Sequence, residues 1–337
     1  MSRSIGVLTS LAWLSAGWLL AGQPFGFPTA NQALATPGQE EAFAVGTPGK
    51  PWTTGMFGCV RGQGRQFHEG LDIRCLKRDP HGEPADPIMA TAAGVVVYSS
   101  DKPGLSNYGR YVVLQHMVEG LAVFSLYAHL REVRADLRPG LPVRAGEIIG
   151  TMGRSTNSGT PISKERAHLH FEIGLRISDR FASWHRQNAP EQRNDHGEWN
   201  GQNLLGLDPA QVLREQAALG RRFSLLRLLQ TQAELCRVLV RQTNFSWPRR
   251  YAPLVARNLR ADKEGIAGYE LVLNYVGVPF QLIPRAASEI RGQQRVQLLS
   301  VNEPELRAHP CRQLLARRGG RWELAYRGAR LIDLLIY

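Results

Sequence analysis

Short apolar runs separated by glycine and proline dominate the first two thirds of the chain. Runs of 4–8 apolar residues with such boundaries are typical of β-strands, and five segments fit this description, at residues 88–99, 110–115, 121–129, 148–150 and 168–173. Glycines fall between these segments, where turns are expected. The pattern therefore predicts an all-β unit.

The last third of the chain has a mixed pattern. Asp208 followed by Pro209 is a typical helix start, while residues 221–240 fit either a helix or a strand. Alternation of apolar and polar positions over residues 269–275 predicts a strand, and residues 322–337 look similar. We therefore expect an α+β region over residues 214–337.

The N-terminus resembles an export signal. Arg3 precedes an apolar run at residues 5–21, and Ala33, Leu34 and Ala35 supply small residues in the A-x-A arrangement of a cleavage site. We predict a signal peptide at 1–35 and a Pro/Gly-rich linker at 36–50, which places the protein in the periplasm, outside the cell or in the cell wall. An uncleaved membrane anchor is the alternative, although the run is shorter than the roughly 20 apolar residues of a spanning helix.

The charge is concentrated in one part of the chain. Hydrophobic residues make up 43% and charged residues 21%, which excludes a disordered chain or a fibrous repeat. The formal net charge is +12, of which residues 211–337 contribute +11. Clustered arginines in this region predict binding of an anionic envelope polymer, and the alternative is an arginine-rich soluble surface. We expect no nucleic-acid partner.

Candidate chemistry lies in three histidine motifs, HEGLD at 68–72, YAHL at 127–130 and HLHFE at 168–172. Residues two apart in a strand share a face, roughly 6.6 Å from each other. A catalytic zinc usually takes three protein ligands and leaves one position open. His68, Asp72 and one of His168 and His170 complete such a set, and His129 and the other histidine of the pair remain for proton transfer.

At these motifs the chain resembles the lysostaphin/LytM-type zinc metallopeptidases, which cut peptidoglycan peptides. The resemblance covers roughly residues 52–213. It extends to the family's runs DPI at 86–88, AGVV at 93–96, VLQH at 113–116, VRAG at 143–146 and GRS at 153–155. It implies a mainly β fold with a LytM-like catalytic domain at 51–213, a compact antiparallel β-sheet unit of the duplicated-hybrid-motif type with an open groove.

The resemblance also implies the roles of the site residues. His68, Asp72 and His170 correspond to the ligands of one Zn²⁺ per chain, and His129 and His168 correspond to the catalytic histidines; which of these two is the general base stays open. We therefore predict a monomeric, exported zinc endopeptidase that hydrolyses stem or cross-bridge peptides of peptidoglycan. The alternative is a catalytically idle module that binds the cell wall or activates an amidase, as relatives without the ligands do.

The chain departs from the family pattern in two insertions, at residues 160–167 and 176–203, which we expect to flank the groove. Export also makes the four cysteines potential disulfides. The pairs Cys59–Cys75 and Cys236–Cys311 are predicted because each stays within one expected domain, with four free thiols as the alternative.

Overall fold

Antiparallel β-structure makes up most of residues 51–213 in the computed structural model, which describes residues 24–337. The strands of this part are β1 (Gly58–Arg61), β2 (Gln66–His68), β3 (Leu71–Arg74), β4 (Pro87–Met89), β5 (Gly94–Ser100), β6 (Arg110–Val118), β7 (Leu121–Leu130), β8 (Glu132–Val133), β9 (Pro142–Val143), β10 (Ile148–Thr151), β11 (His168–Arg176) and β12 (Leu204–Leu207). Its helices are α1 (Glu40–Phe43), α2 (Phe181–Asn188) and α3 (Pro209–Leu219). The predicted mainly β fold is confirmed.

The largest sheet brings the three histidine motifs together. Its strand order is β12-β11-β7-β6-β5-β9, and β3 pairs with the first half of β11. In this register His170 lies opposite Asp72 on one side and opposite Ala128 on the other. Strands β7 and β11 are almost fully buried, and the polar side chains of β11 include His168, His170 and Glu172. The central strands of the sheet thus carry the candidate chemistry.

Several apolar side chains of residues 24–50 pack against the sheets of the fold. Phe25 is 2%, Leu34 is 2% and Phe43 is 0% exposed, and the Val45 N–H donates to the carbonyl of Asp72 at 2.9 Å. The signal peptide predicted at 1–35 and the linker predicted at 36–50 stay predictions, and Phe25, Leu34 and Phe43 belong to the hydrophobic core. The apolar run at 5–21 lies outside the described residues.

The C-terminal region is α+β, as predicted. It contains a sheet of order β15-β14-β13-β16 and a hairpin, β17-β18. The elements are β13 (Cys236–Val240), β14 (Gly268–Leu273), β15 (Pro279–Arg285), β16 (Val296–Val301), β17 (Leu315–Arg318), β18 (Arg321–Leu324), α4 (Leu225–Gln230), α5 (Trp247–Arg250), α6 (Leu259–Glu264), α7 (Glu303–Ala308) and α8 (Tyr326–Leu335). The strand expected over 322–337 is wrong beyond residue 324, where the apolar positions form one face of α8.

The cysteine pairing also differs from the prediction. Cys59 is bonded to Cys311, with Cα atoms 5.5 Å apart, while Cys75 and Cys236 are buried free thiols. The prediction assumed that each bond stays within one domain. The C-terminal region instead packs against β1, so the disulfide joins the two regions. Within residues 24–337, no helix combines the length and the apolar character needed to cross a membrane.

Candidate active site

The glycine of the HEGLD motif allows β3 to approach β11 closely. A Cβ atom at Gly70 would lie 2.4 Å from the carbonyl oxygen of Phe171, a distance that no side chain tolerates. The close approach sets the antiparallel register in which Asp72 and His170 face each other. The motif therefore needs glycine for packing, while its first and last residues carry the chemistry.

Three side chains converge on one point at this register. The Nε2 atom of His68 lies 3.2 Å from Oδ1 of Asp72 and 3.2 Å from Nδ1 of His170, which is itself 3.1 Å from that Oδ1. All three side chains are buried, and their ligand atoms lie within 4.8 Å of one another. Two imidazole nitrogens and one carboxylate oxygen suit a Zn²⁺ ion with an open fourth position. The residues present thus fit the metal that the resemblance implies.

The second ring nitrogen of each candidate histidine ligand is held by an oxygen. Nδ1–H of His68 donates to the carbonyl of Met56 at 2.8 Å, and Nε2–H of His170 donates to Oε1 of Glu172 at 2.9 Å. Such hydrogen bonds fix the tautomer and orient the other nitrogen toward a metal. Glu172 also accepts a hydrogen bond from the Tyr108 hydroxyl at 2.7 Å, so the carboxylate that orients His170 is itself held in place.

The electrostatics of the cluster favour an ionised Asp72 and a protonated His170. Burial opposes ionisation of Asp72, but His168, His68 and His170 outweigh it and hold the pKa of this carboxyl well below its usual value. Burial also disfavours a charged His170, yet its hydrogen bonds to Asp72 and Glu172 raise the pKa of this imidazole to about 10. A metal ion that binds Nδ1 must displace this proton, since ligand nitrogens are deprotonated.

His129 and His168 lie beside the cluster with their rings 4.9 Å apart. Nδ1–H of His168 donates to the Arg166 carbonyl at 2.6 Å, and Nδ1–H of His129 donates to the Ser155 carbonyl at 2.9 Å. The opposite nitrogen of each ring is thereby left as an acceptor. Burial lowers the pKa of both imidazoles, so both are neutral at pH 7 and able to accept a proton.

The backbone at His129 is strained. Its φ angle is +62°, in the left-handed region that few residues other than glycine adopt. Surrounding backbone holds this conformation, because the His129 N–H donates to the Tyr108 carbonyl at 2.8 Å. On the other side, a Cβ atom at Gly153 would lie 2.2–2.6 Å from the backbone of residues 129–131. Strain of this kind collects at functional sites.

All five predicted site residues come together, and their roles as ligands and proton-transfer groups stay predictions. Sequence analysis missed two neighbours of the cluster. Glu172 shares the strand face of His168 and His170, so the alternation within HLHFE was a usable signal. Arg61, whose Nη2 lies 2.6 Å from Oδ2 of Asp72, gave no signal because it sits on another strand, 11 residues before its partner.

The cluster opens into a groove with a volume of about 1350 Å³. Both insertions contribute to its walls, with Ile162 from the first and Phe181 and Trp184 from the second, which confirms that they flank the groove. Residues of the C-terminal region form another part of the lining.

An antiparallel β domain whose groove holds a His-Asp-His cluster beside two further histidines has the architecture of a metallopeptidase. Residues 66–180 match the sequence model of Peptidase family M23. This match agrees with the LytM-type resemblance of the sequence motifs.

Several solved structures are similar to the chain. One from Ruminococcus gnavus, described as a glycyl-glycine endopeptidase lytM, is 27% identical over 44% of this chain and 46% of its own, with a TM-score of 0.30. A zinc-containing peptidase from Vibrio cholerae is 25% identical over 32% and 26%, with a TM-score of 0.24. The catalytic domain of lysostaphin from Staphylococcus simulans is 20% identical over 48% and 89%, with a TM-score of 0.29.

The chain thus covers less than half of the first two of these relatives. No curated protein sequence matches it. The family match covers residues 66–180, about a third of the chain.

Proposed function

We propose that the protein is an exported zinc endopeptidase that hydrolyses peptide bonds in the stem or cross-bridge peptides of peptidoglycan. The observation that carries this proposal is the convergence of His68, Asp72 and His170 on one point, with His129 and His168 beside them. The family match supports peptidase chemistry. The intact set of five residues favours an active enzyme over an idle module.

In this proposal His68 and His170 supply imidazole nitrogens to the metal, and Asp72 supplies a carboxylate oxygen. Zinc, when bound, supplies Lewis-acid activation of water and of the scissile carbonyl. His129 and His168 are neutral and point an acceptor nitrogen at the same space, so either can take a proton and return it to the leaving amine. Once protonated, the same imidazoles stabilise negative charge that develops on the carbonyl oxygen.

The proposal is tested by zinc content and by digestion of purified sacculi, with the released muropeptides identified by mass spectrometry. We expect His170→Ala to lose zinc and activity, because it removes a metal bond. His168→Ala and His129→Ala should keep zinc and lose turnover by about 10²–10⁴-fold, the usual size of a proton-transfer contribution. The exposed His81 is the matched control, and His81→Ala should behave as wild type.

Three results would contradict the proposal. Full zinc in His170→Ala with none in His168→Ala would exchange the two roles within the HLH pair. Wild-type turnover in His129→Ala would remove this residue from the mechanism. A wild-type protein that binds zinc poorly and releases no muropeptides would support the idle module, and its effect on a partner amidase would then be measured.

A further inference from the structure

The C-terminal region forms one side of the groove that contains the candidate metal cluster. The side chains that it contributes come from the segment after the disulfide cysteine and from α8, namely Arg312, Leu314, Tyr326, Arg327, Arg330, Leu331 and Leu334. This segment lies outside residues 66–180, which match the family. This part of the groove wall therefore lies outside the segment that matches the family.

This wall is attached rigidly to the catalytic domain. The Trp184 indole N–H in the second insertion donates to Oδ2 of Asp333 on α8 at 2.7 Å, and the guanidinium of Arg330 stacks on the same indole, 4.7 Å from its centroid. Arg312 lies 4.7 Å from the centroid of Phe67, next to His68 on β2. The second insertion thus connects α8 to the rest of the groove wall through Trp184.

The groove has a large excess of positive charge. Its lining contains two carboxylates, those of Glu69 and Asp72, and six arginines, at positions 61, 65, 166, 312, 327 and 330. Arg61 is paired with Asp72, the candidate ligand. Among the described residues, no carboxylate lies within 4 Å of the other five guanidinium groups.

Two arginines of the four-stranded C-terminal sheet, Arg237 and Arg285, have acidic partners. Arg237 contacts Glu234 and Glu270, each at 2.8 Å, and Arg285 also contacts Glu270. These two arginines are therefore neutralised, whereas five of the six in the groove lining have no carboxylate within 4 Å among the described residues. Cations gathered in a concave surface attract anionic ligands, and the planar guanidinium fork matches a carboxylate.

We propose that Arg327 and Arg330 on α8 bind free carboxylates of the substrate and so make the enzyme selective for acidic peptides. The inference rests on the proposed function, since it names the substrate class of the same groove. Arg327 is exposed and Arg330 half-buried. Nη1 of Arg327 donates to the Cys311 carbonyl at 3.4 Å, and Nη1 of Arg330 donates to the Asn188 carbonyl at 3.2 Å and to the Tyr326 hydroxyl at 3.1 Å. Among the described residues, Nε and Nη2 of both side chains have no hydrogen-bond acceptor and so remain for a substrate carboxylate. Arg312 has a positioning role, because its guanidinium stacks on Phe67 and its Nε–H donates to the Val276 carbonyl at 3.2 Å.

The experiment compares two synthetic pentapeptides of identical length, used with the full-length zinc-loaded protein. The first contains glutamate and a free C-terminal carboxylate, and the second contains glutamine and a C-terminal amide. Hydrolysis gives kcat and KM for each peptide. Binding is measured by fluorescence anisotropy with a neutral dye on each peptide, in a His129→Ala background that keeps the groove.

We expect wild type to prefer the acidic peptide. Arg327→Gln and Arg330→Gln should each raise the KM or Kd for this peptide about five-fold, with kcat unchanged, because a uniform binding contact is lost. The amidated peptide should be unaffected by Arg327→Gln, which leaves the stacking of Arg330 on Trp184 in place. Arg327→Lys should keep part of the preference, since it keeps the charge. The control Arg321→Gln removes the same charge from exposed β18, outside the groove lining, and should match wild type.

The outcomes separate the inference from the proposed function. If wild type cleaves the peptides but shows no preference, or if Arg321→Gln has the same effect as the α8 variants, the inference is wrong and the function stands. If wild type cleaves neither peptide but binds the acidic one in a manner that depends on Arg327 and Arg330, the function is wrong and the inference stands.

Discussion

Removing the disulfide between Cys59 and Cys311 tests how the two regions are joined. The bond closes a loop of 252 residues in sequence separation. In the chain-entropy model, a loop of this length costs the unfolded state about 5 kcal/mol of conformational free energy. We therefore expect Cys59→Ser with Cys311→Ser to lower the free energy of unfolding by up to about this amount, less whatever structure the unfolded chain retains.

The assay is unfolding in urea, followed by tryptophan fluorescence under oxidising conditions and again with a reductant. The reductant should lower the urea midpoint of wild type, while the midpoint of the double variant should be the same with and without reductant. Cys75→Ser is the matched control, since its thiol is buried, unbonded and donates to Asp86 at 3.0 Å, an interaction that a hydroxyl can replace. Non-reducing peptide mapping should show the Cys59–Cys311 link in both wild type and this control.

The disulfide should also affect the groove. Cys59 lies on β1, which carries Arg61 to the carboxylate of Asp72, and Cys311 precedes Arg312 in the opposite wall. We expect the double variant to keep zinc and to show a higher KM for acidic peptides, because the wall is less well held. A Cys59–Cys75 link, free thiols at both Cys59 and Cys311 in oxidised protein, or equal stability of wild type with and without reductant would refute this reasoning.

Three further variants probe other parts of the fold. Gly153→Ala should lower kcat at least about tenfold without loss of zinc, because its Cβ would displace the backbone at His129; wild-type kcat would contradict this. Phe25→Ala should cost about 3 kcal/mol or more of unfolding free energy, since Phe25 is buried; no change would indicate that the mature protein lacks this segment. Burial lowers the pKa of His116 to about 4. The neutral form of this histidine therefore stabilises the fold above pH 6.5, and up to about 3 kcal/mol of unfolding free energy is lost as the pH falls toward 4. In denaturation series at pH 7 and 4.5, His116→Asn should lose less unfolding free energy between the two pH values than wild type.

The sequence by itself determined the β-rich character of residues 51–213 and the identity of the candidate site. Strand periodicity places His168 and His170 on one face regardless of what surrounds them, because alternate residues in a strand point the same way. The HEGLD motif carries its own packing requirement in Gly70. These features depend on neighbours within one or two strands, so they can be predicted from the sequence.

Only the tertiary structure decided which distant segments meet. Cys59 pairs across the domain boundary with Cys311, Phe25 and Phe43 fill a core that local composition does not reveal, and Arg327 faces the groove although it lies 155 residues after Glu172. Charge counts showed that the C-terminal region is basic but could not show which arginines lack acidic partners. Such contacts depend on how separate elements pack, and packing is set by the shapes of whole faces rather than by any local pattern.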